Sequence, residues 1–459
     1  MVVTRSGKST TAVIAKVPPE ILACIFQWFC SHCCNEYKWP FGPPPGSKQA
    51  HDTKALMRLC RVSRSFRNVA QEILFHSFHY DDPPRGTSSH RRNRWLFRLE
   101  PFLQTVAARP DLARCVKAVF LSRFLYESLD FWQSRKAFHA CVRALGKDPQ
   151  VMFGEVHKGS TSSAKQAFFR SPVDPWLADG RRPEDFCPEL FSVLVAILPN
   201  LAHLAVSKNS SCRSRPASWD ILPGILDSFG IECLPIQTIE THALPKNLLR
   251  RCTKLETWIT DGWHDFTDMP TVKYLHLRHT ERHPRVDYSK CIKACSGGLT
   301  IISCANATET LFEAIDIPRL HDSLEILHLD SRRITPIPSL TKFDNLKYLF
   351  LQTHGIYGML PVSQSPLCSQ SIAKILPRNL VVLAVSSSSH TQDRWERDLC
   401  EALASEDDLF PDLGGVISNE EISRKDLAEL CDLLGLEWVC QKETRPSINS
   451  SYSSRQDTI

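Results

Sequence analysis

A short spacing of aliphatic side chains recurs along most of this chain and limits what it can fold into. An aliphatic residue is followed by two spacers, a second apolar residue, one spacer and a third. It reads Val116-Val119-Leu121, Leu201-Leu204-Val206, Ile236-Ile239-Thr241, Leu255-Trp258-Thr260, Val272-Leu275-Leu277 and Leu299-Ile302-Cys304. Leu324-Leu327-Leu329, Leu346-Leu349-Leu351 and Leu380-Leu383-Val385 repeat it in cleaner form. Alternation over the last three positions suits a short strand with one face inward. One such unit cannot hide its own apolar edge, so neighbouring copies must stack, and the pattern predicts a parallel sheet built strand by strand. Helical pieces are expected between strands, as at Phe186 to Leu198 and Thr310 to Ile315, with a terminal helix and strand over Asp426 to Val439.

The intervals carry a resemblance. Leu275 to Ile302, Ile302 to Leu327 and Leu327 to Leu349 run 27, 25 and 22 residues, near the leucine-rich-repeat period, whereas Leu349 to Leu383 runs 34 and implies an inserted loop. The region 95–440 therefore resembles an irregular leucine-rich-repeat solenoid. The expected binding surface is its concave side, made by the residue between the last two apolar positions and by the turn just after the strand. That selects His276, His328, Phe350 and Ala384, followed by Arg278, His279, Asp330 and Gln352. The same leucines would equally serve a globular α/β core.

Ahead of the repeats, residues 17–78 have a different period. Pro18 and Pro19 suit the first turn of a helix, Glu20 its positive end, and Ile21, Leu22, Ile25, Phe26 and Phe29 form one broad apolar face. Leu56, Leu59, Cys60 and Val62 give a second stripe. Ser63 caps a third helix whose apolar side is Phe66, Val69, Ala70, Ile73 and Leu74. Between them, 31–53 is a Cys-, Pro- and Gly-rich insertion carrying Trp39-Pro40-Phe41-Gly42-Pro43.

The segments Val17-Pro18-Pro19-Glu20-Ile21-Leu22, Ile25-Phe26 and Leu59-Cys60-Arg61-Val62-Ser63-Arg64-Ser65-Phe66, with Val69-Ala70 and Leu74-Phe75, resemble the F-box as fungal members write it. Arg109-Pro110-Asp111-Leu112-Ala113 resembles the first repeat that follows it in those relatives. The family implies a three-helix module packed on the Skp adaptor of a Skp–cullin–F-box ubiquitin ligase. It makes Pro18, Ile21, Leu22, Ile25, Leu59, Val62 and Phe66 adaptor-contact or module-core positions, two roles the sequence does not separate. The insertion is longer than the family's usual loop and puts docking in question if it packs across that face.

The expected organisation is a disordered start over 1–16, the module over 17–78, a hinge over 79–94 with Pro83-Pro84 and Gly86, the repeats over 95–440, and a disordered tail over 441–459. No secretory signal opens the chain; the Ser/Thr-rich start with Arg5 and Lys8 is a weak match to a transit peptide. An intracellular protein is expected, in cytoplasm or nucleus, with its 18 cysteines as reduced thiols. The longest apolar run, Phe191 to Leu198, is too short to span a bilayer. A formal charge of +5 gives no argument for nucleic acid, and the basic run Arg91, Arg92, Arg94, Trp95 and Arg98 reads as a solvated hinge.

Catalytic and cofactor signatures are incomplete wherever the sequence approaches one. Gly7-Lys8-Ser9 matches only the end of a phosphate-binding loop, because the required earlier glycine is Val2. Cys30, Cys33 and Cys34, with His32 and Cys24 nearby, offer soft ligands, but no second pair stands at finger-like spacing, so no metal is expected. Asp261, His264, Asp265 and Asp268 read as a solvated turn. The resulting expectation is a non-enzymatic receptor without cofactor, holding a target protein near a ligase, or alternatively a scaffold of the same make acting outside one.

Overall fold

In a computed structural model of the protein, the residues described are 17–30, 32–34, 47–79, 99–121, 131–149, 151–152, 187–206, 223–241, 246–260, 269–278, 288–295, 297–305, 309–330, 337–352, 374–386, 389–404, 410–418 and 425–440. The Trp39 to Pro43 stretch, the Arg91 to Arg98 run, the Asp261 to Asp268 turn and His279 fall outside them. Two compact units divide the chain, Met1–Lys254 and Leu255–Ile459.

The first unit opens with three helices. Proline at the first helical position costs α1 (Pro19–Gln27) nothing, and the Pro18 carbonyl accepts from the amides of Ile21 and Leu22 at 3.1 Å each. α2 (Ser47–Leu59) begins earlier than the apolar pattern indicates, inside the stretch read as insertion. α3 (Arg64–Leu74) is capped as its sequence requires, the Ser63 hydroxyl accepting from the Phe66 amide at 3.2 Å.

After α3 the period changes from helix to strand. β1 (Ser77–His79) pairs in parallel with β2 (Ala118–Leu121), which pairs with β3 (His203–Val206) and then β4 (Thr238–Thr241). His79, read from sequence as the start of a hinge, is thus the last residue of a strand. Between these strands lie α4 (Leu99–Ala108), α5 (Pro110–Cys115), α6 (Phe131–Ala144), α7 (Cys187–Ile197) and α8 (Pro223–Ser228), with α9 (Lys246–Leu249) after β4. Phe102 of α4 stacks between Phe75 and Phe78, 6.1 and 4.3 Å centroid to centroid, joining the helical start to the sheet.

The second unit continues the same construction with eight parallel strands: β5 (Thr257–Thr260), β6 (Tyr274–Arg278), β7 (Ile301–Ala305), β8 (Ile326–Asp330), β9 (Tyr348–Gln352), β10 (Val382–Ser386), β11 (Gly415–Ser418) and β12 (Glu437–Cys440), each beside the next. Between them run α10 (Tyr288–Cys295), α11 (Glu309–Ile315), α12 (Pro318–Ser323), α13 (Ser389–Leu403) and α14 (Lys425–Leu434). The register aligns Trp258, Leu275, Ile302, Leu327, Leu349, Leu383 and Val416 in one inward row, all fully buried. Each contributes about 1.5–3 kcal/mol by leaving water, which makes this row the core of the unit.

A shared carbonyl holds nine of the steps between neighbouring strands. The backbone oxygens of His76, Lys117, Ala202, Glu256, Lys273, Thr300, Glu325, Lys347 and Val381 each accept two successive amides from the next strand's entry. Asparagine side chains reinforce it: Asn200 donates to the Arg114 carbonyl at 2.7 Å, Asn379 to the Asp344 carbonyl at 2.6 Å, and Asn345 to the Asp322 carbonyl. Each stands immediately before the first aliphatic residue of its copy. At one step the backbones approach closely: a Cβ at Gly298 would meet the Pro270 carbonyl oxygen at 2.7 Å. The helix α14 ends at Gly435 with φ 69°, a turn closed by the Leu436 amide on the Cys431 carbonyl. This is an α/β fold with a parallel sheet, as the spacing predicts.

Candidate docking surfaces

The broad apolar face of α1 splits in two. Leu22, Phe26 and Cys30 turn inward and meet Leu56, Ala70 and Ile73 in a buried cluster. Leu59 and Phe66 are partly buried against it, Phe66 lying edge-on to Phe26 at 5.3 Å. The adjoining stripe, Ile21, Ile25 and Trp28, spaced four and three residues apart, points to solvent. Their exposures are 51%, 49% and 77%, and Met57 (43%) and Val62 (61%) add to the exposed set from α2 and the turn after it. Arg67 stiffens that turn by donating from Nε to the Cys60 carbonyl at 3.1 Å.

Of the seven positions singled out in the sequence, Pro18, Ile21, Ile25 and Val62 are therefore on the surface. Leu59 and Phe66 divide between core and surface. Leu22 takes the module-core role of the two that the sequence leaves open and not the adaptor-contact one: it is buried in the cluster with Ala70 and Ile73. Trp28 and Met57 join the exposed set without a sequence signal. Trp28 sits at the C-cap, one residue past the helix, where a helical pattern read residue by residue loses its phase.

The second surface is the face of the β5–β12 sheet opposite the leucine row. Register places Ile259, His276, Ser303, His328, Phe350, Ala384 and Ile417 side by side, with Tyr274, Ile301, Ile326, Tyr348 and Val382 in the adjacent row. Tyr274 and Tyr348 are exposed, and His328, Phe350, Ala384 and Gln352 are half-buried. His276 is buried, which corrects its expected role as a solvent-facing contact. The side chains of Arg278 and Asp330 lie outside the described residues. His328 is well fixed: Ser303 Oγ and His328 Nδ1 are 3.0 Å apart, and the imidazole meets the Phe350 ring edge-on at 4.2 Å. Burial among these neighbours brings its pKa down to about 4. At the strand entries charges alternate, Lys273 pairing with Glu256 at 3.3 Å and Lys347 with Glu325 at 3.9 Å.

A third grouping departs from the sequence expectation. Cys30, His32 and Cys33, just beyond α1, converge with His76 at the entry to β1, their four ligand atoms lying within 4.8 Å of one another. Cys33 Sγ is 3.2 Å from His76 Nδ1 and 3.8 Å from His32 Nδ1, and Cys30 Sγ is 3.8 Å from His76 Nδ1. The hydrogen bond with Cys33, and then the two imidazoles, hold the Cys30 thiol well below its usual range. Cys33, the partner that keeps the proton, is pushed up. The second pair that finger-like spacing does not supply is made up in space by His32 and His76, the latter standing 43 residues from Cys33 and brought back by the packing of α3 on α1. Cys34 is not part of the group; its thiol faces the carbonyls of Gln27 and Trp28 at 3.6 Å.

No helix among the described residues is long and apolar enough to cross a membrane. No family model and no curated protein matches this chain.

Proposed function

We propose that the protein is the substrate-recognition subunit of a Skp–cullin–F-box ubiquitin ligase, its three-helix start docking the Skp adaptor and its repeats holding a target protein. The observation that carries this reading is the exposed apolar stripe Ile21, Ile25 and Trp28, joined by Val62 and Met57, on a module only three helices long. Side chains of this kind, exposed in a group, mark a protein interaction site. The Ser63 cap, the Pro18 start and the Leu22–Phe26–Ala70–Ile73 core agree with the F-box resemblance of the same segments.

The strand-by-strand sheet and its short period agree with a leucine-rich-repeat solenoid. Its open face combines two tyrosines, a phenylalanine and aliphatic side chains with alternating charge at the rim, a composition suited to a protein surface. In this reading the chain performs no chemistry itself. It raises the rate of transfer by holding the target beside the ligase's active partner.

The test is copurification with a tagged Skp adaptor, followed by probing for cullin. Recovery of both from wild type, and of neither from Ile21→Asp/Ile25→Asp that retains its circular dichroism, is the expected outcome. Leu22 is left intact because aspartate in that buried cluster would unfold the module. Adaptor without cullin would instead favour a scaffold acting outside a ligase. Undiminished adaptor binding by the double variant removes the docking face.

A further inference from the structure

We infer that Cys30, His32, Cys33 and His76 form a structural zinc site that fastens the end of α1 to the first strand of the sheet. Two thiols and two imidazoles are the donor set of closed, tetrahedral zinc sites, and hard cations such as magnesium or calcium would not choose it. Geometry agrees with chemistry. Zinc bonds of about 2.3 Å to sulfur and 2.0–2.1 Å to nitrogen, arranged tetrahedrally, set neighbouring ligand atoms roughly 3.3–3.8 Å apart. The three separations involving His76 and His32 are 3.2, 3.8 and 3.8 Å, and the whole set fits within 4.8 Å. The two rings stand nearly perpendicular, 75° between planes at 5.5 Å, so both Nδ1 atoms can face one point without clashing.

Thiol–imidazole hydrogen bonding alone explains the 3.2 Å contact but leaves the convergence of four donors unexplained. Three come from consecutive turns after one helix and the fourth from a separate element. Both ends are rigid. Cys30 belongs to the buried cluster with Leu22 and Phe26, and Cys33 packs on it. The His76 carbonyl accepts the amides of Lys117 and Ala118, which sets the register of β1 on β2. With all four positions filled by protein there is no opening for substrate, so the role is structural. The site is independent of the ligase reading, since it concerns what holds the module to the sheet, whatever the module docks.

The full chain, purified reduced and dialysed free of loose metal, is assayed for zinc by mass spectrometry and, after exchange with cobalt(II), by its visible spectrum. One zinc per chain is expected in wild type and in Cys34→Ser. Cobalt should give intense tetrahedral ligand-field bands with a thiolate charge-transfer band. Cys33→Ser/His76→Ala should lose both signals, whereas His76→Cys, which keeps four ligands, should retain them and so exclude a mere failure to fold. Zinc content near zero in wild type, or unchanged in Cys33→Ser/His76→Ala, overturns the site. So does a native Cys30–Cys33 disulfide whose reduction permits no cobalt uptake.

Discussion

The helical start and the parallel sheet spend their apolar residues in opposite ways. In the sheet, the apolar row from Trp258 to Val416 is wholly buried, and each strand is covered by the next. In the helical start, one half of an equally apolar helix face is covered by α3 while Ile21, Ile25 and Trp28 are left in water. A stack can always add another copy to cover an apolar edge; a three-helix module that stops must leave one exposed or borrow a partner. The contrast separates apolar residues buried in a core from apolar residues left in water, and four measurements sharpen it or break it.

The largest stability effect belongs to the sheet. Leu327→Ala removes a fully buried side chain between β7 and β9 and should cost about 2–5 kcal/mol in denaturant unfolding of the second unit. A loss below about 1 kcal/mol would mean the row is not the core.

Next comes pH. His328 in β8 and His139 in α6 are both held down to about 4 by burial, His139 also by the charges of Arg135 and Arg143. Their folded values lie below the unfolded one near 6.5, so the unfolded chain binds the extra protons. Stability present above pH 6.5 should therefore fall as pH drops from 6.5 to 4, by roughly 1–2 kcal/mol at pH 5 for His328 and by less for the half-exposed His139, whose charge water screens. His328→Gln should flatten its share of that slope; an unchanged slope would place His328 in water.

Smaller still is the cap. Ser63→Ala removes the acceptor for the Phe66 amide and should cost about 1 kcal/mol, read as a lower midpoint for the module. Smallest is Ile21→Ser/Ile25→Ser, which should move stability by no more than about 0.5 kcal/mol because both side chains already meet solvent. A large loss there would mean the stripe is covered within the chain itself, and the contrast would vanish.

The same contrast explains which parts of the fold are legible in the sequence. Ten strands are: nine carry the short apolar spacing, as Leu324-Leu327-Leu329 does for β8, and β12 is expected behind the terminal helix. β1 is not: Ser77-Phe78-His79 offers one apolar side chain in three residues. β11 escapes the pattern because Ser418 fills the third inward position and Gly415 replaces the usual first strand residue. The asparagines before Leu201, Leu346 and Leu380 are a further signal that the apolar spacing does not contain: each lends its side-chain amide to a carbonyl ahead of it in the chain.

In the docking face, Ile21/Ile25 and Leu22/Phe26 are neighbouring stripes about 100° apart. A helix apolar over more than half its circumference does not say which half is covered; only the position of α3 does. The metal-binding group hides for a topological reason. Cys30, His32 and Cys33 are adjacent in the sequence, but His76 follows two helices later, and no spacing rule links them.

The central claim is that the exposed stripe on α1 is an adaptor-docking face, and calorimetric titration of the purified Skp adaptor into the full chain tests it most directly. Wild type and Tyr274→Ser/Tyr348→Ser, altered only on the sheet face, should bind the adaptor alike, while Ile21→Asp/Ile25→Asp should bind about a hundredfold or more weaker at unchanged fold. Equal affinity for all three proteins, or no heat of binding with the folded wild type, would contradict it.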